Sequence, residues 1–320
     1  MYPDTVRIKL TGFHGDFASK ISSNLHYFNL ETTISNHFDL ELIIDPHLGS
    51  IKNPEKTIIA LVEPQVVRPD LYNKAIWRNY AGILPLSYYR AQRLGINEWF
   101  DFPVILPRYP RNNRIRLNRV AIVNEHKFSG SSRSMYGLRR KVIRNYEENY
   151  PGQLDVYGVE WDKGRIIELQ RRIYSMRQHV LQSEFSLREC FSDLWHQYPN
   201  LAGHMHEDLE KLQEYQSSIV IENDLDYVSE KVWKSIYAGA VPVYVGPKLI
   251  NDPMLEAAVL SAKPDVFSIV SKLSIENNDV MSEIRKYGYY FLDNLEDSKY
   301  GVNFCAKKVA ESINSLIHNL

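Results

Sequence analysis

Three stretches of the sequence carry residue types whose spacing suits chemistry on a phosphate-bearing ligand. The first runs from Tyr215 to Lys248. The apolar run Ser218–Ile221 ends in Glu222-Asn223, crosses a polar turn and enters an expected helix over Ser229–Ala238. Glu230 and Lys231 fall in its first turn, Gly239 stops it, and the strand Val241–Val245 follows. Asp226 is expected to cap this helix by accepting hydrogen bonds from its first free N–H groups. A helix N-terminus has unpaired N–H groups and a partial positive charge, so it favours phosphate. Lys231 would add a full charge, and Glu230 would accept hydrogen bonds from sugar hydroxyls. The plainer alternatives are that Glu230 only complements the helix dipole, for ~0.3–1 kcal/mol, and that Lys231 is a solvated helix residue.

The second stretch, Thr57 to Tyr72, is a strand running straight into Glu63-Pro64. The proline biases Glu63 to extended geometry and ends the strand. A lone carboxylate at the carboxyl end of a strand is positioned for general-base work; the alternative is an ordinary surface glutamate. The third stretch is Val120–Asn124, a Ser/Gly-rich loop over 129–137, and a helix containing Arg139-Arg140. A loop that opens into a basic helix suits a diphosphate, because a planar guanidinium can make two hydrogen bonds to one phosphate. The pattern leaves open which of the two arginines faces inward.

The elements that would hold these residues alternate. Apolar, β-branched runs at Val6–Leu10, Leu40–Ile44, Thr57–Val62, Tyr80–Leu84, Val120–Asn124, Leu154–Tyr157, Ser218–Ile221 and Val241–Val245 read as strands. Several are continuously hydrophobic rather than alternating, as in parallel sheets covered on both faces. Helical patterns lie at about 17–29, 135–149, 166–197, 229–238 and 303–320. This order implies an α/β fold. Two halves are expected, 1–110 and 111–320, with a linker near Pro107–Asn118 and a last helix able to return to the first half. In such sheets ligands bind beyond the carboxyl ends of the strands.

Composition sets the outer bounds. The chain has 320 residues, 44% of them apolar and 24% charged, with a formal charge of -1. That excludes a disordered chain, a fibre and a mainly electrostatic nucleic-acid binder. Two cysteines, Cys190 and Cys305, are too few for a disulfide framework or a zinc cluster. His204 and His206 form a weak metal pair without a third ligand at characteristic spacing. No run approaches the ~18 apolar residues that span a bilayer, and no signal peptide is evident, so a cytoplasmic protein is expected. Charge is uneven: +6 over residues 1–155 and -7 over the remainder. Most of the excess lies in an arc from Arg108 to Arg144, opposed only by Glu125. It is expected to be a solvated surface with one or two members facing an anionic ligand.

The block from Tyr215 to Gly246 resembles the donor-binding signature of glycosyltransferase family 10, the α-1,3/1,4-fucosyltransferases. It stands here as Tyr215, Glu222-Asn223, Tyr227-Val228-Ser229-Glu230-Lys231, Val241-Pro242-Val243 and Gly246. Ala60–Pro64 resembles the family's segment with its catalytic glutamate, and Val120–Asn124, Arg139 and Leu154–Gly158 resemble the start of its donor domain. The resemblance covers roughly residues 55–250, and its form is that of bacterial or viral members without a membrane anchor.

It implies a GT-B architecture, two Rossmann-like domains facing a central cleft, the C-terminal one holding GDP-fucose. It implies inverting transfer to a hydroxyl of a glycan or glycolipid acceptor, α-1,3 to GlcNAc or Glc, with no metal or other cofactor, no nucleic-acid partner and at most peripheral membrane contact. Carried over by match, Glu63 is the general base and Glu230 a second catalytic carboxylate. Arg139 and Lys231 neutralise the diphosphate, and Asn124, Asn223, Tyr227 and Ser229 complete the donor site. Gln216-Ser217 stand where the family commonly has Lys-Phe, and Asp224 where it often has Ser. The altered 216–217 positions keep open transfer from another GDP-sugar; a catalytically silent glycan- or nucleotide-binding protein is a separate alternative, against which Glu63 and the Glu230-Lys231 pair argue.

Overall fold

The computed structural model describes residues 5–104, 116–162, 165–180, 185–191, 196, 198, 201–203, 209–249, 253–274 and 278–318. The chain divides into two compact units, Met1–Ile105 with Asn294–Leu320, and Leu106–Asp293. The expected linker lies mostly outside the described residues.

The first unit is a five-stranded parallel sheet of β1 (Val6–Thr11), β2 (Leu30–Thr32), β3 (Leu40–Ile44), β4 (Thr57–Leu61) and β5 (Gly82–Pro85), in the order β2-β1-β3-β4-β5. Strand β4, flanked by β3 and β5, is buried at all five positions, which is why its sequence is an almost unbroken apolar run. Ile59, Leu61, Leu71, Tyr72, Ile83 and Leu94 form a core against one of its faces. The helix Val302–His318 packs against the helix Gly15–Leu25, so the end of the chain belongs with the first unit. Its buried face is Cys305, Val309, Ile313 and Ile317, at i+4 steps.

The second unit is a six-stranded parallel sheet of β6 (Leu117–Val123), β7 (Leu154–Tyr157), β8 (Leu201–Gly203), β9 (Tyr215–Ile221), β10 (Val241–Val245) and β11 (Leu260–Ser261). Their order is β11-β10-β9-β6-β7-β8. The chain therefore winds outward from β6 in one direction and from β9 in the other. Such a reversal leaves a crevice at the carboxyl ends of the two central strands. Ile122, Val142, Ile143, Val156, Ile219, Ile221, Val243 and Val245 fill the core on the helix-covered faces. A fully buried Ile, Leu or Val contributes ~1.5–3 kcal/mol, so this cluster is the main source of the unit's stability.

Two expectations are corrected. The pattern over 166–197 is not one helix; described parts are Arg165–His179 and Leu187–Phe191. Among the described residues, the basic arc is not mainly a solvated surface. Arg116 donates to the carbonyls of Gln213, Tyr215 and Ala238, Arg119 pairs with Asp155, and Arg139 and Arg140 are buried. Exposed main-chain carbonyls at strand and helix ends are strong acceptors, and guanidinium groups satisfy several at once. Arg108, Arg111 and Arg114 lie outside the described residues.

Candidate functional site

The crevice between β6 and β9 collects most of the residues singled out in the second unit. Asn124 directly follows β6. Its N–H donates to Tyr157 O at 2.9 Å and its carbonyl accepts Trp161 Nε1–H at 2.6 Å. Gly158, at φ +141°, lies so close that a Cβ there would run into the Asn124 carbonyl. The backbone is thus fixed, yet the side chain is not satisfied. Asn124 is only 3% exposed, and neither Nδ2 nor Oδ1 has a hydrogen-bond partner. An unpaired buried amide costs ~1–3 kcal/mol, so it needs a compensating role.

On the β9 side the strand runs into Glu222, which is 0% exposed. Its Oε1 accepts the Ser229 N–H at 3.0 Å, while Oε2 has no hydrogen-bond partner. Burial raises this carboxyl above the ordinary range, opposed chiefly by the charge of Lys231. The helix Glu230–Ala238 starts here, and Ser229 is its N-cap, accepting the Lys231 N–H at 3.4 Å. The expectation that Asp226 caps this helix is therefore corrected. Asp226 is buried and pairs with Arg133 at 3.2 Å, and a serine two residues from the N–H has the better reach.

Lys231 turns its Nζ back towards the helix start, 3.5 Å from Ser229 Oγ and 4.0 Å from a Glu230 oxygen. Burial pulls this ammonium below its usual range against the pull of Glu230. Glu230 is the exposed member, 58% by side chain, with Lys234 3.9 Å away. Partial burial pushes its carboxyl up, but Lys231, its own main-chain N–H, Lys234 and Lys127 outweigh that and hold the group below the usual range.

Of the two adjacent arginines, Arg139 turns to this crevice. Its Nε and Nη2 donate to Ile221 O at 3.1 and 2.5 Å, and Nη2 donates to Asn223 Oδ1 at 2.8 Å. Arg140 turns the other way, to Lys127 O and over the Phe128 ring. Asn223, Arg139, Glu222, Ser229 and Lys231 thus lie along one chain of bonds and charges. The pairing Ile122↔Ile219, continued by two residues, puts Asn124 level with Ile221. Tyr227 is half-buried on the loop before Ser229.

Sequence reasoning missed the clasp that joins the two loops. Arg133, on the Ser/Gly loop, donates to Asp224 Oδ1 at 2.6 Å and Oδ2 at 3.3 Å and pairs with Asp226. Two aspartates at i and i+2 whose arginine lies 91 positions from the first give no local signal. The same loops also meet through Met135 N–H and Asn223 O.

Glu63 belongs to the first unit, two residues beyond β4 and half-buried. Its charge contributes to holding Arg68 in the protonated form, after the larger effect of the Asp70 hydrogen bond. Gln216, the departure from the family pattern, sits at the amino end of β9 and donates to Asn278 Oδ1. At ~3.3 Å per residue it lies roughly 20 Å along the strand from Glu222, at the far end from the crevice. Among the described residues no three His, Cys, Asp or Glu side chains gather as a metal site; His204 and His206 are outside them.

No protein-family model matches the chain. Among solved structures, TarM is similar with a TM-score of 0.52 at 10% identity, over 94% of this chain and 59% of TarM. The α,α-trehalose 6-phosphate synthase from Burkholderia multivorans is similar with a TM-score of 0.50 at 12% identity, over 96% of this chain and 78% of that one. An α1,3-fucosyltransferase with GDP aligns at a TM-score of 0.47 and 11% identity, over 99% and 91%. The chain thus spans about 59% of the length of TarM.

These two parallel sheets with their covering helices, and the likeness to the first two structures, define an α/β GT-B fold of two Rossmann-like units. No helix among the described residues is long and apolar enough to cross a membrane.

Proposed function

We propose that the protein is a nucleotide-sugar glycosyltransferase, and specifically an inverting, metal-independent transferase of fucose from GDP-fucose to a hydroxyl of a glycan. The observation that carries this reading is the orphaned, buried amide of Asn124 at the strand-order reversal, beside a helix N-terminus that presents Lys231. A polar, anionic ligand there would satisfy the amide and receive the helix dipole and the ammonium together. The ordered Tyr215–Gly246 signature supports GDP-fucose as that ligand. Gln216 and Ser217, the altered positions that motivate the reading of a different GDP-sugar, lie in the amino-terminal half of β9.

In the proposed reaction Glu63 accepts the proton of the acceptor hydroxyl as that oxygen bonds to the anomeric carbon. The bond from that carbon to the diphosphate breaks, and GDP leaves with the electron pair. Lys231 and the N–H groups of its helix stabilise the charge that develops there. Glu230, exposed and ionised, accepts hydrogen bonds from sugar hydroxyls. Arg139 acts on the donor through Asn223, whose amide it orients. Glycan or glycolipid acceptors fit this chemistry.

The test offers GDP-fucose, GDP-mannose and UDP-glucose with N-acetyllactosamine, in excess EDTA, and follows nucleoside diphosphate release. Release from GDP-fucose alone, undiminished by EDTA, is expected. Turnover only with another donor would overturn the fucose assignment; binding of GDP without turnover of any donor would favour the silent alternative.

A further inference from the structure

Glu63 stands where the β4 ladder runs out, and its main chain is held by side chains instead. After Leu61, β4 has no further strand partner in register, since Leu61 pairs with Pro85 at the end of β5. The two N–H groups that follow, of Val62 and Glu63, donate to the two oxygens of a single carboxylate, Asp45 Oδ1 at 2.9 Å and Oδ2 at 2.7 Å. On the other edge Arg90, 0% exposed, aims one nitrogen at three successive carbonyls. Its Nη1 donates to Leu61 O, Val62 O and Glu63 O at 2.9, 2.7 and 3.3 Å. Tyr72 Oη adds a further bond to Glu63 O at 2.7 Å.

Asp45 is itself held in an uncommon conformation. Its φ is +37°, a region that costs a non-glycine residue ~1–3 kcal/mol and persists only where the surroundings over-determine it. Here they do. Asp45 N–H donates to Ala60 O at 3.0 Å, and Arg68 donates to Asp45 O at 2.9 Å and Pro46 O at 2.8 Å. The next residue, Pro64, fixes its own φ, and its carbonyl accepts the N–H groups of Val67 and Arg68. A half-buried carboxylate, a buried guanidinium and a strained turn all converge on the two peptide units that flank one glutamate. Buried charges carry a desolvation cost, and closing a sheet edge alone does not require both signs.

We infer that Asp45 and Arg90, with Tyr72, are positioning residues for Glu63. They fix the backbone from which its carboxylate projects, so that the base meets the acceptor hydroxyl in one geometry. This rests on the reading of Glu63 as the general base. It extends that reading by placing the precision of the base in three side chains that act through the main chain around it.

The test compares Asp45→Asn, Tyr72→Phe, Arg90→Met and Glu63→Gln in the full chain, with GDP-fucose and N-acetyllactosamine. Asparagine keeps the shape of Asp45 but presents an amide N–H to one of the two main-chain N–H groups, so one bond must break. A displacement of about 1 Å costs up to ~10²-fold, so kcat of Asp45→Asn is expected to fall ~10- to 100-fold. Its GDP affinity and KM for GDP-fucose stay within about twofold, because the donor residues lie in the other unit; the acidic limb of its pH profile persists because the base is still present. Glu63→Gln loses activity and that limb together. Tyr72→Phe, which removes a single bond, gives a several-fold loss of kcat of the same kind and serves if Arg90→Met does not fold. Wild-type kcat in folded Asp45→Asn and Tyr72→Phe beside an inactive Glu63→Gln would overturn the positioning role and leave the base standing. An equal loss of GDP affinity in Asp45→Asn would overturn it as a general structural defect. Wild-type turnover of Glu63→Gln would instead remove the base itself.

Discussion

Replacing Arg133 by methionine removes the charge that joins the two loops of the second unit while keeping a side chain of similar length. It leaves Asp224, which is 0% exposed, and Asp226 facing each other without the guanidinium that pairs with both. Removing one partner of a buried ion pair costs ~3–5 kcal/mol, because the remaining charge stays desolvated. Arg133 retains 18% side-chain exposure, so water reaches its site, and Asp224 keeps the Leu225 N–H at 2.6 Å. Both place the loss near the lower end, ~3 kcal/mol. For a unit of this size that is a fall in Tm of ~6–12 °C. Thermal unfolding of the full chain followed by circular dichroism measures it, and GDP titration should show weaker binding because the loops that come apart lead into the helices that bear Arg139 and Lys231. Asp224→Asn in the Arg133→Met background removes one of the two carboxylate charges and should recover part of the loss, a coupling of ~1–3 kcal/mol. An Arg133→Met protein melting within 2 °C of the wild type, or strictly additive single changes, would refute the assignment of this cost to buried carboxylates deprived of the Arg133 guanidinium.

Two further outcomes follow from buried groups. Asn124→Leu removes an amide that has no partner, so without ligand the protein should gain ~1 kcal/mol or more, while GDP affinity should fall by tenfold or more; a melt and a GDP titration on the same sample check the opposed signs. His126 is stacked on Trp161 at 4.4 Å between centroids, and burial, with Arg140, pushes its pKa down to about 3. The unfolded chain binds its proton near 6.5 and the folded one does not, so His126 costs no stability above that pH. Below it stability falls by ~1.4 kcal/mol per pH unit until about 3. His126→Phe should flatten that slope in urea unfolding between those limits, and an unchanged slope would contradict a neutral, buried imidazole.

Local pattern carried the fold a long way. The continuous apolar runs of β4, β9 and β10 read directly as buried parallel strands, since a strand covered on both faces has no polar side to alternate with. The Glu230–Ala238 helix was legible from its first turn and its glycine stop. The short strands β2, β8 and β11, of three, three and two residues, were not. A strand of that length has no measurable period, and only its neighbour's ladder makes it one. The division of roles between Arg139 and Arg140 was likewise hidden. Adjacent helical positions project about 100° apart, and which one meets β9 depends on how the helix packs.

By itself the sequence determined the α/β class, the strand-end positions of Glu63, Asn124 and Glu222, and the helix start that bears Glu230 and Lys231. These depend on periodicity, caps and breakers, which act over a few residues. Only the tertiary structure decided that β6 and β9 are neighbours from which the chain winds in opposite directions, that Arg116, Arg139 and Arg140 of the basic arc turn inward to main-chain carbonyls, and that Asp45, Tyr72 and Arg90 converge on the two peptide units around Glu63. Partners 9 to 122 positions apart in the chain are brought together by sheet order and burial, and no local preference records which distant carbonyl a buried guanidinium will find.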